Sequence, residues 1–486
     1  MVIGSGFSSL SAASYLAKSG YEVTVLEKNA TPGGRARKFE THGYNFDMGP
    51  SWYWMPEIFE EFFNDFGKSA KDFYELKRLS PSYSVYFGKG EEMLIPSDFN
   101  ELCNLFEAHE KGGAENLRKY LKEAEYKYRV GVDKMMRRPG KSITEFMDIS
   151  FLPALFKLDL FHSIDKHIRK YFSNEKLIRI LEFPILFLGT MPENTPALYS
   201  LMNYADIALG TWYPMGGMHK IVEGMVEVAS SLGVKFEFNT CVQSVDVVKG
   251  KAVSVTASQK NYQADIVVAG ADYHHTEQSL LKKEYQSYSE KYWENRIMAP
   301  SSLLFYLGVK KPLHKMQHHT LFFDQPFGPH GKAIYVNPQW PDNPLFYVCR
   351  TTATDSSVAP KNCENLFILI PVAPGLKDDE ATREKYYQEV MRRLEEYYGE
   401  EIQSHVEYKR TYAHSNFIKD YNAFKGNAYG LANTLLQTSN LKPSLKSKKV
   451  KNLYYTGQLT VPGPGVPPAI ISGKVVTEQI VKSYKN

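Results

Sequence analysis

Val2-Ile3-Gly4-Ser5-Gly6-Phe7-Ser8-Ser9 opens the chain, and Ala13, Leu16, Ala17 and Gly20 lead from it to Val23, Val25 and Glu27. The run reads as a strand, a tight glycine turn, an amphipathic helix and a second strand ending in an acid. Such a unit seats a pyrophosphate on the helix N-terminus, where unpaired N–H groups and aligned backbone dipoles favour negative charge. A ribose hydroxyl then falls to the carboxylate. Gly4 serves the tight turn and Gly6 the close approach to phosphate. Ser9 stands where a third glycine or alanine is usual, and is still small enough for helix and sheet to pack closely. Glu27 follows the turn by ~20 residues, the spacing a ribose partner needs, and an acid there suits an unphosphorylated ribose. Only Met1 to Ile3 precede the turn, against ~5 residues in an average strand, which leaves open whether native residues precede Met1.

The segment after Glu27 decides which dinucleotide is expected. Gly33-Gly34-Arg35 follows by a short loop, and then Phe46-Asp47-Met48-Gly49-Pro50. Paired glycines let backbone N–H groups approach an anion, and Arg35 can neutralise a diphosphate. A nicotinamide dinucleotide has no evident use for a second anion-facing loop so close to the first. FAD, a longer ligand held along its whole length, does, so FAD is the expected cofactor.

Near the other end, Val450 to Thr456 reads as a buried strand, and Gly457 as a point where backbone approaches a ligand. The turn Pro462-Gly463-Pro464-Gly465-Val466-Pro467 then enters a final helix, whose N-terminus is suited to stabilising negative charge on a reduced flavin.

With these motifs on the page, the chain resembles the flavin amine oxidase superfamily and, within it, the bacterial-type carotenoid desaturases. The resemblance runs its full length. It takes in the glycine fingerprint, Gly33-Gly34-Arg35, Asp47-Met48-Gly49-Pro50, Pro192 with Pro196-Ala197-Leu198-Tyr199-Ser200-Leu201-Met202, and Trp212-Tyr213-Pro214-Met215-Gly216-Gly217-Met218. It continues through Ala264-Asp265-Ile266-Val267-Val268, Ala271-Asp272, Gly426-Asn427-Ala428-Tyr429-Gly430 and the closing Thr456-Gly457-Gln458 with Gly465-Val466-Pro467. The stretch Gly49-Pro50-Ser51-Trp52-Tyr53-Trp54-Met55-Pro56 looks most like flavobacterial phytoene desaturases.

The resemblance implies an α/β fold with a Rossmann-like FAD-binding domain built from discontinuous segments, 1–73, 215–290 and 445–486. A mixed β-sheet substrate domain is expected from 74–99 and 291–444, and a helical, membrane-contacting region from 100–214. Gly4, Gly6, Ser9, Glu27, Gly33, Gly34, Arg35, Gly49, Pro50, Gly457, Gly465, Val466 and Pro467 are the expected cofactor residues, with the Val242 backbone at the adenine. Trp52, Tyr53, Trp54 and Trp212 are expected near the flavin or the substrate path.

The 486 residues suffice for two or three domains, and a net charge of +4 is too mild to suggest nucleic acid. Cys103, Cys241, Cys349 and Cys363 are far apart with no C-x-x-C, so neither a disulfide framework nor a redox dithiol is indicated, and a reducing cytoplasm is the natural compartment. No metal is expected. The pairs His274-His275 and His318-His319 read as strand neighbours that point to opposite faces. No apolar run reaches the ~18 residues of a spanning helix.

From 151 to 168, Phe151, Leu155, Phe156, Leu158, Leu160, Phe161, Ile164 and Ile168 alternate with Lys157 and Lys166, with Arg169 and Lys170 following and Lys134, Arg137, Arg138 and Lys141 upstream. On the residues alone this suits an interfacial helix and an ordinary core helix equally. The family resemblance favours peripheral contact with the cytoplasmic face of the inner membrane, where a carotenoid dissolves.

The implied reaction is desaturation: a hydride leaves an allylic carbon of a phytoene-like C40 polyene for flavin N5, and the delocalised cation then loses a proton. The second proton is acidic enough that no strong base is needed, which fits the lack of a Ser/His/Asp or paired-carboxylate constellation. With no second glycine fingerprint for NAD(P)H, oxygen or a membrane quinone is the expected acceptor. Alternatives are a desaturase of a later hydroxylated or monocyclic carotene acting at the 3,4 bond, a carotene isomerase, a flavin amine oxidase and a non-enzymatic escort.

Overall fold

Val2–Ile3 lies at the centre of a five-stranded parallel sheet in the computed structural model, which describes residues 1–141 and 158–484. On one side it pairs with Thr24–Leu26 and, beyond that, Lys235–Glu237; on the other with Val267–Ala269 and then Leu453–Tyr455. The sheet therefore joins the start, middle and end of the chain. Gly6 caps the first helix, Phe7–Lys18, and the closing helix, Val466–Tyr484, packs along it. The seam is tight because Gly473 faces the Ser8–Ala12 backbone and Ser11 Oγ donates to Ile470 O at 2.7 Å.

A second, seven-stranded sheet runs in the order Val406–Tyr412, Ser301–Val309, Glu364–Val372, Phe346–Arg350, His319–Phe322, Tyr83–Tyr86, Glu92–Ile95. Alternation along each strand gives it two faces. Leu303, Phe305, Leu307, Ile368 and Ile370 pack against Tyr387, Val390, Met391 and Leu394 of the helix Glu380–Tyr398. That helix starts on the Asp379 side chain and stops at Gly399 in the left-handed region. Leu304, Tyr306, Leu321, Tyr347, Cys349, Phe367 and Leu369 face the other way, into the main core.

The described residues of 99–141 and 158–208 are largely helical, led by Phe99–His109 and Gly113–Val130. Of the amphipathic stretch, residues 151–157 lie outside the described residues. In the remainder, Leu158, Ile164 and Ile168 are buried in the main core while Phe161 is 89% exposed. The apolar face that the pattern offers to a membrane is, at Ile164 and Ile168, spent on the protein interior. Among the described residues no helix is long and apolar enough to cross a bilayer.

Candidate functional site

The first turn, the Gly33-Gly34-Arg35 loop and the Gly49 segment meet as one piece of backbone. Gly33 N–H donates to Ser5 O at 2.9 Å, a Cβ on Gly34 would sit 3.2 Å from Gly6 Cα, and one on Gly49 would overlap Arg35 O. The end of the chain joins them: a Cβ on Gly457 would come within 3.2 Å of Ser8 Oγ, and Gly457 N–H donates to Ser472 Oγ at 3.1 Å. Nothing lies within 4 Å of a Cβ placed on Gly6, so the space in front of the first helix is open at the point where a phosphate is expected.

Arg35 is the strongest electrostatic feature there. It is partly buried, its Nη2 donates to Asn427 O at 3.3 Å, and its guanidinium lies 5.2 Å from the Tyr421 ring. Its Nε has no partner, and among the described residues no carboxylate reaches ion-pair distance of it. Burial pulls its pKa below the usual arginine value, with Asp272 opposing. A partly buried arginine with an unused donor fits an anionic ligand, and the diphosphate of FAD matches that need.

Glu27 is buried, and its carboxylate is fully occupied within the chain. Oε2 accepts from Ser5 N–H at 2.8 Å and Ser5 Oγ at 2.7 Å, and Oε1 accepts from Asn29 N–H and Nδ2 at 2.8 and 2.9 Å. A ribose hydroxyl at Glu27 would replace one of the side-chain donors. Ser9 is buried with an unpartnered Oγ against Gly270, whose lack of a side chain makes room for it. Val242 begins the strand Val242–Val248 and packs with Ile3 and Leu26 at the edge of the nucleotide-binding half.

The closing helix has a feature that the motif alone does not reveal. Gly465 precedes Val466, and Pro467 and Pro468 follow, so two first-turn N–H groups are missing and Ala469 N–H is taken by Gly465 O. The helix dipole remains, but the first turn offers a ligand only the Val466 N–H.

The four aromatic candidates split between two sides of the segment that bridges at Tyr53. Trp52 and Trp54 lie 5.2 Å apart on one side, joined by Phe183 and Tyr83, with His319 stacked on Trp52 at 4.0 Å and Tyr347 at 5.4 Å. Tyr53 turns away, stacks on Phe59 at 4.3 Å and shares a hydroxyl contact of 2.9 Å with Tyr74; Trp212, bridged to it through the backbone, packs on that side too. The Trp54 indole is held by a buried chain, donating to Thr211 Oγ1, which donates to Asp206, with Tyr83 as the other donor to that carboxylate. Burial raises the Asp206 pKa to about 7. Phe183, Tyr83, His319 and Tyr347 carry no motif, and only the tertiary pairing brings them to Trp52.

The histidine pair departs from the sequence reading. His318 lies just before the strand His319–Phe322, so strict alternation does not apply; the two rings are 4.5 Å apart and both approach Cys349. His274 and His275 sit instead in a short helix, with His274 paired to Glu290 at 2.9 Å.

Lys442 is buried beside the Gly/Pro turn, donating to Asn433 Oδ1 at 2.8 Å, and a Cβ on Gly463 would lie 2.7 Å from its Nζ. Burial lowers its pKa from 10.5 to about 7. Between those values the unfolded chain binds a proton that the folded protein resists, so the lysine penalises folding fully below pH ~7 and progressively less as pH rises toward 10.5. Lys442→Met is therefore expected to raise the denaturation midpoint at pH 6–7, with the advantage fading by about pH 10. Midpoints measured across that range check it, and an advantage that does not change with pH contradicts it.

Comparison with known proteins agrees with this geometry. The family described as flavin containing amine oxidoreductase matches residues 7–481. The chain is 39% identical over 482 residues to a carotenoid 3,4-desaturase of Haloarcula japonica, covering 99% of this chain and 97% of that protein. It is 32% identical over 515 residues to a phytoene desaturase of Fusarium fujikuroi, covering 100% and 90%. An oxidoreductase from Methanosarcina mazei shares the fold, with a TM-score of 0.61 over 98% of this chain and 99% of that one at 18% identity. An arginine with an unused donor, glycine turns from both ends of the chain at one point, and a family match across nearly all of it lead to one conclusion: the chain belongs to the flavin containing amine oxidoreductases.

Proposed function

We propose that this flavoprotein is an FAD-dependent carotenoid desaturase acting on a phytoene-like C40 polyene. The observation that carries the reading is the adjacency of an anion cradle and an apolar wall: Gly49 packs on Arg35, and three residues later Trp52 opens the cluster with Trp54, Phe183 and Tyr83. Full-length similarity to proteins named for carotenoid desaturation supports the substrate class. In this reading 1–73, 215–290 and 445–486 hold the cofactor, and Trp52 and Trp54, with Tyr53 and Trp212 behind them, shape the substrate path.

When bound, FAD supplies the two-electron acceptor for a hydride from an allylic carbon. The chain's own residues do the rest. Arg35 and the glycine turns fix the diphosphate. The rings around Trp52 exclude water and offer their faces to positive charge developing on the polyene. A delocalised cation gives up its second proton readily, so the wall needs to position rather than to act as a strong base.

A later carotene desaturated at the 3,4 bond is the second reading, favoured by the 39% identity to a protein so named against 32% for a phytoene desaturase. Incubating the FAD-loaded protein with liposomes carrying phytoene or a monocyclic carotene separates the two. The productive substrate shows a stepwise red shift as conjugation lengthens; an unchanged spectrum with every carotene overturns the proposal, and a small shift without net oxidation identifies an isomerase.

Peripheral contact with the cytoplasmic face of the inner membrane is part of the same proposal, supported by Phe161 standing exposed beside the basic residues of that segment. Oxygen or a quinone is proposed as the acceptor, and anaerobic turnover with and without added quinone tests it. Rapid flavin reduction by NADH alone counts against it.

A further inference from the structure

His318, His319 and Cys349 each place one possible ligand atom within 4.8 Å of the others, and all three are buried. His319 and Cys349 are cross-strand partners on the inner face of the seven-stranded sheet, and His318 joins them from the strand's entrance. The imidazoles are prepared as ligands. Tyr347 Oη lies 2.6 Å from His319 Nδ1 and donates to Ser51 Oγ at 2.9 Å, and Thr354 Oγ1 lies 2.6 Å from His318 Nδ1. In both rings Nε2 is buried with no partner. Two orphaned, fully buried nitrogens beside a free thiol are costly unless something occupies the space between them. Hydroxyls that orient ligating imidazoles through the second ring nitrogen are what a metal centre uses around its ligands.

We propose that His318 Nε2, His319 Nε2 and Cys349 Sγ form a metal site for a soft monovalent ion, Cu(I). Ligand softness and number point to the valence, in a site walled by Trp52 and Tyr213. Among the described residues no carboxylate completes the set to four ligands. Thiolate selects soft ions, and two imidazoles with one thiolate suit three-coordinate Cu(I). Binding exchanges the Cys349 thiol proton for the metal, so one S–H bond breaks, one Cu–S bond forms, one proton leaves and no electron moves. Because His319 stacks on Trp52, the ion would brace the apolar wall against the sheet.

The test is anaerobic titration of the FAD-loaded protein with Cu(I) against a chromogenic chelator, followed by X-ray absorption on the loaded sample. One ion retained per chain, with a sulfur scatterer beside nitrogen scatterers, is expected. Cys349→Ser and His319→Gln are expected to abolish retention, while Cys103→Ser, a buried cysteine elsewhere, retains it. Tyr347→Phe, which keeps every ligand but loses the hydroxyl that orients His319, is expected to weaken binding about 10–100-fold. Circular dichroism and FAD content establish that each variant is folded. No retained copper, equal retention by a folded Cys349→Ser, or preferential retention of Zn(II) over Cu(I) overturns the proposal.

Discussion

Gly473→Val is expected to yield a protein that folds poorly and emerges without its yellow colour. A Cβ at this position would overlap Ser8 O and lie 2.6 Å from Ser11 Cβ and 2.7 Å from Ala12 N. These atoms belong to the backbone and first side-chain carbons of the first helix, so no terminal rotamer can swing aside. The two helices must separate, and the anion-facing turn at Gly6 moves with them. Overpacking of this kind costs about 1–3 kcal/mol for small insertions, and the two further methyls of valine place Gly473→Val at the upper end or beyond. Bound FAD per chain and the denaturation midpoint read the effect together. A variant with full flavin content and an unchanged midpoint would show that the seam can relax, which the fit of Gly473 against Ser8 argues against.

The second large effect is at Arg35. Arg35→Met keeps most of the side-chain volume and removes the charge. A charge-assisted hydrogen bond contributes about 1.5–3 kcal/mol, which corresponds to about 10–100-fold weaker FAD binding. Removing a partly buried cation with no ion-pair partner among the described residues relieves some desolvation cost, so the apoprotein is expected to be about as stable as the parent. The diagnostic result is thus a split: lower FAD affinity by fluorescence titration with an undiminished apoprotein midpoint. Loss of both would make Arg35 a structural residue rather than a ligand for the diphosphate.

The sequence made the first βαβ unit legible because its signal is local: Gly4 and Gly6 demand a turn, and Glu27 closes the next strand. The helix Glu380–Tyr398 was legible for the same reason, with its start, period and stop all written within its own span. Pairings across hundreds of residues leave no such trace. Nothing in Val267–Ala269 or Leu453–Tyr455 announces that they flank Val2–Ile3, although the family resemblance placed their segments in one domain. Trp52, Tyr53 and Trp54 form one motif on the page, yet the middle residue turns to the opposite side. His318-His319 misled in the opposite direction, since the alternation argument assumes a strand that begins one residue later. The amphipathic stretch shows how little a hydrophobic pattern says about its partner, because Ile164 and Ile168 are satisfied by the protein's own core.

The five-stranded sheet also sets a timetable. Its outermost strand, Leu453–Tyr455, and the helix that packs along Phe7–Lys18 leave the ribosome long after Val2–Ile3, the strand at its centre. The nascent chain must hold its glycine turn unfinished until those elements emerge, and cofactor capture waits for them. A product of premature termination before Val466 is thereby marked as defective, an unliganded chain with an open helix seam for proteolysis to find.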